Sequence, residues 1–402
     1  MEKKHPNPTK RAGCLFIFIL TMKCAIIGAG IGGLTAAIAL RQRGIEAKVY
    51  EAAPEIKPLG AGIVMATNAM LVFQRLGIAE KIQSAGFLIN EGFISDQQWR
   101  PIQKFDAAYV SKKYGVGSYA FHRADLHKVL FDELPQGTVA LNHKLSSLHQ
   151  EESKVSLRFE NQLSEEVDLV IGADGIKSIV RESLFGKSTY RYSGQTCWRS
   201  IVEMPVPAKF KNSTYELWGN EAGLRFGLVA VGENKIYFFA TQKSAEGIID
   251  EIKTLKRDLA VKFSQFGKDV VSVIENADEA KIIRTDIYDL APIKNWFRDR
   301  IVLLGDAAHA TTPNLGQDGC QAVEDAYVLA KVLGERDSAP GALQYYQNTR
   351  FVKANYVVKT SWQLGQVTNA PASLIKLRNF ALRLTPPSLG RKTLDTLFTL
   401  NY

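Results

Sequence analysis

The chain has 402 residues, enough for two domains at roughly 100–200 residues each. Apolar residues make up 46% and charged residues 23% of it, which excludes a wholly disordered chain and permits large hydrophobic cores. The formal net charge is +9, but lysine and arginine are spread along the chain, so we expect no nucleic-acid partner.

The first 21 residues form an extension ahead of the first predicted strand. Residues 1–13 are basic and polar, and 14–22 form a short apolar run, a pattern that imitates a signal peptide. The run is far shorter than the ~20 residues that span a bilayer, and it leaves no room for a cleavage site before the strand. Two interpretations stay open: Met22 is the working start, or residues 1–21 are a targeting or anchoring segment.

The cysteines bear on the compartment. Cys14, Cys24, Cys197 and Cys320 stand far apart, and no pair has metal-ligand or redox spacing. So few cysteines in a long chain are typical of a reducing compartment. We therefore expect a cytoplasmic protein without a metal site.

The predicted elements begin as an α/β unit. Residues 23–51 read as strand, tight turn, helix and strand, and a further helix is expected at about 123–134. Strand-like segments follow near 144–160 and 166–172. Alternating stretches between about 191 and 241 predict an antiparallel sheet.

Helices dominate the rest of the chain, apart from a buried strand at 300–304. They are predicted at about 248–275, 317–335 and 341–365, and from about 371 until Pro386-Pro387. The last of these is basic and amphipathic. We expect it to pack on its own protein, with weak membrane-surface contact as the alternative.

The order of elements predicts a discontinuous α/β domain with an inserted sheet domain and a helical tail. The expected boundaries are 1–21 for the extension, 22–75, 105–190 and 288–365 for a nucleotide-binding domain, 76–104 and 191–287 for a substrate domain, and 366–402 for the tail.

The first motif is a glycine-rich turn at residues 28–33, which follows an apolar strand and opens a helix. Gly28 permits the tight turn, Gly30 lets backbone approach a pyrophosphate, and Gly33 lets the helix pack on the strand. Glu51, about twenty residues on, can accept hydrogen bonds from a ribose diol and disfavours a 2′-phosphate. The turn therefore predicts bound FAD or NAD rather than NADP.

The second motif is an Asp-Gly turn, Asp174-Gly175, between a buried strand and a short helix. Local sequence also allows a plain turn here, with Ser178 as a helix cap.

The third motif begins with Gly305-Asp306 after the strand at 300–304. A carboxylate beside a buried strand is costly unless it is hydrogen-bonded, and a ribityl chain would supply hydroxyl partners. The stretch 316–319 then opens a long helix, whose N-terminus can stabilise negative charge on a reduced flavin.

Taken in this order, the three motifs resemble the class A flavoprotein monooxygenases, the family of para-hydroxybenzoate hydroxylase. The resemblance covers almost the whole chain after Met22. It implies an α/β fold: a Rossmann-like FAD-binding domain built from discontinuous segments, an inserted antiparallel-sheet substrate domain and a C-terminal helical segment. It also implies bound FAD, NADH or NADPH as a transient reductant, and O2 as co-substrate. A small aromatic or heteroaromatic substrate would be hydroxylated through a flavin C4a-hydroperoxide.

The same resemblance assigns cofactor contacts. Arg123 would contact the FAD phosphates, the loop 60–63 would lie along the flavin, and Asp174-Gly175 would serve both FAD and NAD(P)H. The expected cofactor-binding residues are Gly28, Gly30, Ile31, Gly33, Glu51, Ala52, Gly62, Arg123, Asp174, Gly175, Gly305, Asp306, Pro313, Gly316, Gln317, Asp318 and Gly319. Asp318 departs from the family, since relatives usually carry Gly there; its carboxylate would oppose an anionic flavin or point outward as a helix cap.

Within the family, residues 312–317 with Glu324-Asp325 resemble the branch of FAD-dependent urate hydroxylase, salicylate hydroxylases and zeaxanthin epoxidase. Arg225 and Tyr237 resemble in placement the substrate-binding Arg and Tyr of urate hydroxylase; the alternatives are a solvated Arg and a core Tyr. His309 is expected to be structural, beside Asp306, with a proton relay as the alternative.

Several functions stay open besides aromatic hydroxylation: urate hydroxylation specifically, a flavin-dependent epoxidase or alkene reductase, a tetracycline-inactivating enzyme, and a non-catalytic binding protein. We expect a monomer or homodimer without firm membrane association.

Overall fold

The computed structural model describes residues 22–56, 61–336 and 339–402. The predicted extension at 1–21, with Cys14, and Gly60 of the predicted flavin loop lie outside these residues. Across the described ranges, no helix is long and apolar enough to cross a membrane, and no cluster of His, Cys, Asp and Glu could hold a metal.

A six-stranded sheet forms the centre of the larger hydrophobic core. Its three central strands, Cys24–Ile27, Leu169–Gly172 and Ile301–Leu303, are apolar and buried on both faces, as is typical of parallel sheets. In spatial order the six strands are Phe297–Arg298, Ile301–Leu303, Leu169–Gly172, Cys24–Ile27, Ala47–Tyr50 and Val139–Ala140. The first pair is antiparallel and the others are parallel. Distant chain segments therefore share one sheet, which confirms the α/β unit built from discontinuous segments.

A seven-stranded sheet forms a second layer, and it confirms the predicted antiparallel insertion. Its strands in spatial order are Ile283–Leu290, Tyr190–Glu203, Lys235–Lys243, Arg225–Gly232, Ser213–Trp218, Glu91–Asp96 and Pro101–Phe105. Every neighbouring pair is antiparallel except Ser213–Trp218 with Glu91–Asp96.

Alternation along these strands separates two faces. The outer face, with Trp198, Phe226 and Phe238, forms its own core against the helices Ile252–Lys262 and Lys268–Glu275. The inner face carries the intervening residues and turns toward the larger domain.

Two three-stranded sheets complete the β structure: Gly62–Met65, Ser118–His122 and Phe87–Ile89, and Leu145–Gln150, Val155–Phe159 and Ser164–Val167. The first lies against the inner face of the seven-stranded sheet, where Ile89 and Ala120 pack on Val229 and Val231.

Helices cover the six-stranded sheet and form the C-terminal part. The helices outside the seven-stranded sheet's core are Ile31–Gln42, Thr67–Arg75, Ala79–Ser84, Ala107–Tyr114, Arg123–Asp132, Ile179–Phe185, Asp306–His309, Asp318–Glu335, Ala339–Thr368, Ala372–Arg383 and Pro387–Phe398. Short 3₁₀ turns occur at Ala208–Phe210, Ser264–Phe266, Glu279–Lys281 and Pro313–Leu315. The helices predicted at 123–134, 317–335 and 341–365 are confirmed.

One helix prediction was wrong in extent. The single helix expected at 248–275 begins at Ile252 and is interrupted by the 3₁₀ turn Ser264–Phe266 and Gly267. The helix expected from about 371 to Pro386-Pro387 is confirmed as Ala372–Arg383. The two prolines then open a further helix that was not predicted, Pro387–Phe398, because Pro386 is extended and Pro387 suits the first helical position.

The network of one fully buried arginine ties four parts of the larger domain together. Arg350, on Ala339–Thr368, pairs with both Glu324 and Asp325 of Asp318–Glu335. Asp325 also accepts a hydrogen bond from the backbone N–H of Gly305 at 3.0 Å, and Glu324 accepts one from Asn68 at 2.6 Å. The network therefore fixes the Gly305 turn, two long helices and the helix Thr67–Arg75 relative to one another.

Replacing this arginine should destabilise the fold strongly. In Arg350→Met, two buried carboxylates lose their common cation, so the free energy of unfolding should fall by about 3–5 kcal/mol. Urea unfolding followed by circular dichroism measures the change. Arg43→Ala is the matched control, since its ion pair with Glu335 is 3.6 Å long and partly exposed and should cost less than about 1 kcal/mol. Equal losses in both variants would contradict the proposed network.

Candidate active site

The glycine-rich turn forms a crevice at the end of the first strand. Gly28 has φ +104°, and a Cβ there would lie 2.5 Å from the carbonyl oxygen of Ala173, while a Cβ on Gly33 would lie 2.0 Å from that of Gly28. Gly30 is different, because an added Cβ would meet no described atom within 4 Å. Helix Ile31–Gln42 starts here without a side-chain cap, so its first N–H groups are free to bind phosphate oxygens.

The carboxylate of Glu51 lies beside this crevice and is fixed by hydrogen bonds from backbone N–H groups. Its Oε2 accepts a hydrogen bond from the N–H of Ala29 at 2.7 Å, and its Oε1 accepts one from the N–H of Ala53 at 2.9 Å. Each oxygen keeps a lone pair for a hydroxyl donor. Ala52 lies between these contacts on the exposed rim.

Arg123 supplies an unpaired cation near the same cleft. Its backbone N–H donates to Ala61 at 3.2 Å, which joins the helix Arg123–Asp132 to the loop before Gly62. Its side chain is exposed and forms no ion pair with any residue that the structure describes. The guanidinium is therefore available to an anionic ligand.

Asp306 is a carboxylate without a hydrogen-bond partner among the described residues. It follows Gly305 and is partly exposed. Burial and the negative charge of Asp318 together raise the pKa of Asp306 to about 6, although the charges of His309 and Arg123 lower it. A partly buried carboxylate without a protein donor can accept hydrogen bonds from the hydroxyl groups of a polyol ligand. The residues present therefore fit the ribityl chain of FAD.

Asp174 and Ser178 both act as helix caps. Asp174 accepts hydrogen bonds from the Ser178 hydroxyl and the Val180 N–H, and Ser178 accepts one from the Arg181 N–H at 2.9 Å. Burial raises the pKa of Asp174. Gly175 completes the turn before the helix Ile179–Phe185. The contacts of this turn with FAD and NAD(P)H stay a prediction.

The loop 313–319 brings the start of the long helix to the cleft. Pro313 opens a 3₁₀ turn that Gly316 ends. The Gln317 side chain is buried and hydrogen-bonded to Asn68 and Gln321, so its amide is used in contacts within the protein. Gly319 packs against Met65, where an added Cβ would lie 2.9 Å from its Cε.

Asp318 is the first residue of the helix Asp318–Glu335 and is partly buried. Gln317 occupies the capping position, so Asp318 is not the helix cap. Its carboxylate shares the cleft with Asp306.

His309 is a buried structural residue near Asp306, as expected. Its ring Nε2 also lies 2.6 Å from Oδ2 of Asp325, a residue of the neighbouring helix that was not predicted as its partner. Both side chains are buried, so the pair belongs to the Arg350 network.

Tyr237 stands on the inner face of the seven-stranded sheet. Its ring packs on Gly62, where a Cβ would lie 2.2 Å from the ring. Its hydroxyl has no hydrogen-bond partner in the described part of the chain. Burial raises the pKa of Tyr237 well above its ordinary value, so the hydroxyl is a proton donor at neutral pH. Phe239 follows on the same face, with its ring over Gly227.

Arg225 lies on the same face but is already occupied. Four of its five N–H groups donate to protein acceptors. The acceptors are Thr241 at 3.1 Å, Glu216 at 3.0 Å, Gln195 at 3.2 Å and Asn314 at 2.9 Å. It is therefore buried rather than solvated, and it braces the sheet to the loop that leads to Gly316. Its contact with substrate stays a prediction.

Arg199 was not singled out from the sequence. It faces inward on the strand Tyr190–Glu203, directly opposite Phe239. Its one hydrogen bond runs from Nε to the Cys197 sulfur at 3.2 Å. No local motif marks this arginine, and only the strand alternation could have placed it on the inner face.

Comparison with known proteins agrees with this arrangement. Residues 21–361 match the family model described as FAD binding domain. The chain is 39% identical over 342 residues to aurachin C monooxygenase/isomerase of Stigmatella aurantiaca, covering 85% of this chain and 88% of that protein. It is 32% identical to FAD-dependent urate hydroxylase of Klebsiella pneumoniae, covering 82% and 86%. The solved structure of Klebsiella pneumoniae HpxO with FAD and uric acid has a TM-score of 0.87 at 29% identity, covering 94% and 96%.

The open space at Gly30 permits a clean test of the diphosphate site. The Cβ of a Gly30→Val side chain would meet no atom of the described residues within 4 Å, so the fold should survive, while the bound diphosphate should be displaced. FAD content of the purified protein should fall about tenfold or more, with an unchanged circular dichroism spectrum. Gly390→Ala, at a second open glycine far along the chain, is the control and should keep full FAD content. Normal FAD in Gly30→Val would refute the assignment.

Asp306 should make the apoprotein less stable as pH rises. Its folded pKa of about 6 exceeds the unfolded value near 3.8, so the folded state holds the proton more tightly. The free energy of unfolding should therefore fall by about 3 kcal/mol as pH rises through this window. Asp306→Asn should abolish that fall and also weaken FAD binding, as measured by urea unfolding of the apoprotein at several pH values. The exposed Asp132→Asn is the control, and an unaltered pH dependence in Asp306→Asn would rule the idea out.

Proposed function

The chain belongs to the family of FAD-dependent monooxygenases that share the FAD-binding domain, and we propose that it hydroxylates a small aromatic or heteroaromatic substrate. NADH or NADPH would serve as reductant and O2 as co-substrate. One dinucleotide fingerprint is present at residues 28–33, so the nicotinamide cofactor would bind transiently.

One observation carries the proposal: two separate surfaces meet at one cleft. The first consists of residues that fit FAD, with the loop at Gly62 and the helix start at Asp318. The second is the inner face of the seven-stranded sheet, where Tyr237 packs directly on Gly62. An aromatic substrate between them would lie against the cofactor on one side and the sheet on the other.

Each cofactor-facing residue has a distinct proposed role. The amides that begin helix Ile31–Gln42 and the guanidinium of Arg123 would bind the diphosphate. Glu51 would accept from the ribose, and Asp306 from the ribityl hydroxyls. The N-terminal end of helix Asp318–Glu335 would stabilise negative charge on the ring system. Bound FAD supplies the acceptance of two electrons from NAD(P)H and the activation of O2.

The inner face would position the substrate. The free hydroxyl of Tyr237 would donate to a substituent oxygen, while Phe239 would pack on the ring. Closing the cleft with these side chains would also exclude water. Arg225 would act by bracing Asn314, with direct substrate contact as the alternative.

Urate is the specific alternative substrate. The relative that hydroxylates urate and the HpxO structure with uric acid both match most of the chain. Arg225 and Tyr237 lie on the same inner face of the sheet, which favours their comparison with the substrate-binding Arg and Tyr of urate hydroxylase. The more similar relative acts on aurachin C, and another, 32% identical, on 3-amino-4-hydroxybenzoate, so we propose the broader class. The three described cysteines are free, which supports a cytoplasmic location.

Turnover measurements test the function. The purified protein should be yellow, and one of urate, 3-amino-4-hydroxybenzoate or aurachin C should stimulate both NAD(P)H oxidation and O2 uptake. A product containing one atom from labelled O2, detected by mass spectrometry, would distinguish a monooxygenase from an alkene reductase. A colourless protein that takes up no FAD would overturn the proposal.

Tyr237→Phe tests the substrate side of the cleft. Loss of one neutral hydrogen bond should lower kcat/KM about 3- to 10-fold while FAD content stays normal. Tyr288→Phe is the control, because its hydroxyl is bonded to Glu246 on the exposed side of the sheet. Equal kinetic effects in both variants would exclude a specific role for Tyr237.

A further inference from the structure

Two arginines stand on the inner face of the seven-stranded sheet, on either side of Phe239. Strand register places Arg199 opposite Phe239 on one neighbouring strand and Gly227 opposite it on the other, with Arg225 two residues before Gly227. Because directly paired residues point to the same face, both arginines face the cleft. Their partners nevertheless differ sharply.

The charge of Arg225 is already balanced. Its Nη1 lies 3.0 Å from Oε1 of Glu216, and its other donors are directed at Thr241, Gln195 and Asn314. A substrate anion would gain little from this guanidinium unless it displaced an existing partner.

The charge of Arg199 is balanced less closely. Its side chain forms no ion pair with the described residues, and its single hydrogen bond goes to the sulfur of Cys197. The negative charge of Asp318 acts on the guanidinium, but without a direct contact. Both Nη groups are thus without a protein acceptor in the described ranges. A largely enclosed cation that no carboxylate contacts is costly to keep, so a ligand anion bound directly to it would lower that cost.

Arg199 also has a suitable neighbour. Ile201 is paired with Tyr237, so Arg199 and Tyr237 are diagonal neighbours on one face. Diagonal side chains in an antiparallel pair lie roughly 7–8 Å apart at Cα and meet when they are long. The free Tyr237 hydroxyl and the free Nη groups can therefore address the same oxygen or the two oxygens of one carboxylate.

We propose that Arg199 determines substrate specificity by binding an anionic oxygen of the aromatic substrate, a carboxylate, phenolate or enolate, with the Tyr237 hydroxyl donating to the same group. The inference rests on the proposed function. It adds that the substrate is an anion and that Arg199 is the residue that binds its negative charge. Arg225 serves instead as the positioning residue that fixes Asn314 and the loop behind the cofactor.

A matched pair of probes isolates the charge. Benzoate and benzamide have nearly the same shape, but only benzoate is an anion. Each is titrated into the FAD-containing enzyme, and binding is followed by the change in flavin absorption. We expect wild type to bind benzoate at least tenfold more tightly than benzamide, which is the range of a charge-assisted hydrogen bond.

Three variants complete the test. Arg199→Gln should weaken benzoate binding about 10- to 100-fold and leave benzamide binding unchanged, whereas Arg199→Lys should restore most of the benzoate affinity. Lys243→Gln is the control, since it removes one exposed positive charge from the end of the same sheet and should change neither probe. If Arg199→Gln loses its flavin, the wild-type ratio and the lysine variant still decide.

The outcomes separate this inference from the function. A wild-type enzyme that binds both probes equally or neither, or an Arg199→Gln variant with unchanged benzoate affinity, overturns the role of Arg199 even when an aromatic is hydroxylated. Parallel losses for benzoate and benzamide in Arg199→Gln would mean a purely structural role and would also overturn it. Failure to hold FAD at all would instead overturn the proposed function.

Discussion

The mutual placement of the cofactor-facing residues depends on one buried cation. Arg350 pairs with Glu324 and Asp325 in the interior, and Asp325 in turn holds the backbone of Gly305. Separating these charges would take from two buried carboxylates the cation that they share in a medium of low polarity, so the pairing is rigid. Asp306 follows Gly305, and Asp318 begins the helix that carries Glu324 and Asp325. Both are therefore held in place by this pairing, although neither is hydrogen-bonded to the arginine.

Successive side chains along the strands of the seven-stranded sheet point to opposite faces, so one face contributes to stability and the other to the proposed chemistry. The sheet's outer residues form a closed aromatic and aliphatic core with two helices, while its inner residues face the larger domain. A one-residue change of register would exchange the two sets, so the core on one side specifies which side chains stand in the cleft on the other. The brace from Arg225 to Asn314 then joins this sheet to the loop before the long helix.

The order of strands and helices was sufficient to predict the discontinuous α/β fold. The turn at Gly28 and the carboxylate of Asp306 were predicted as cofactor contacts because their chemistry depends on adjacent residues, and those contacts stay predictions. Arg199 was not identified, because its proposed role depends on the absence of protein acceptors for its Nη groups in the described ranges. The absence of a partner produces no pattern in the sequence. Likewise the partners of Arg225 come from segments around 195, 216, 241 and 314, so its occupied state could not be read from residues near it.

The strand order of the six-stranded sheet has a consequence for biosynthesis. Cys24–Ile27 pairs with Leu169–Gly172, and that strand pairs with Ile301–Leu303, so the nucleotide crevice is walled by segments made early, midway and late in translation. The glycine turn leaves the ribosome long before Asp306, the carboxylate proposed to complete the cofactor site. We therefore expect flavin to bind only after most of the polypeptide has been made. Until then the long-range strand pairing, a slow step, is still to come.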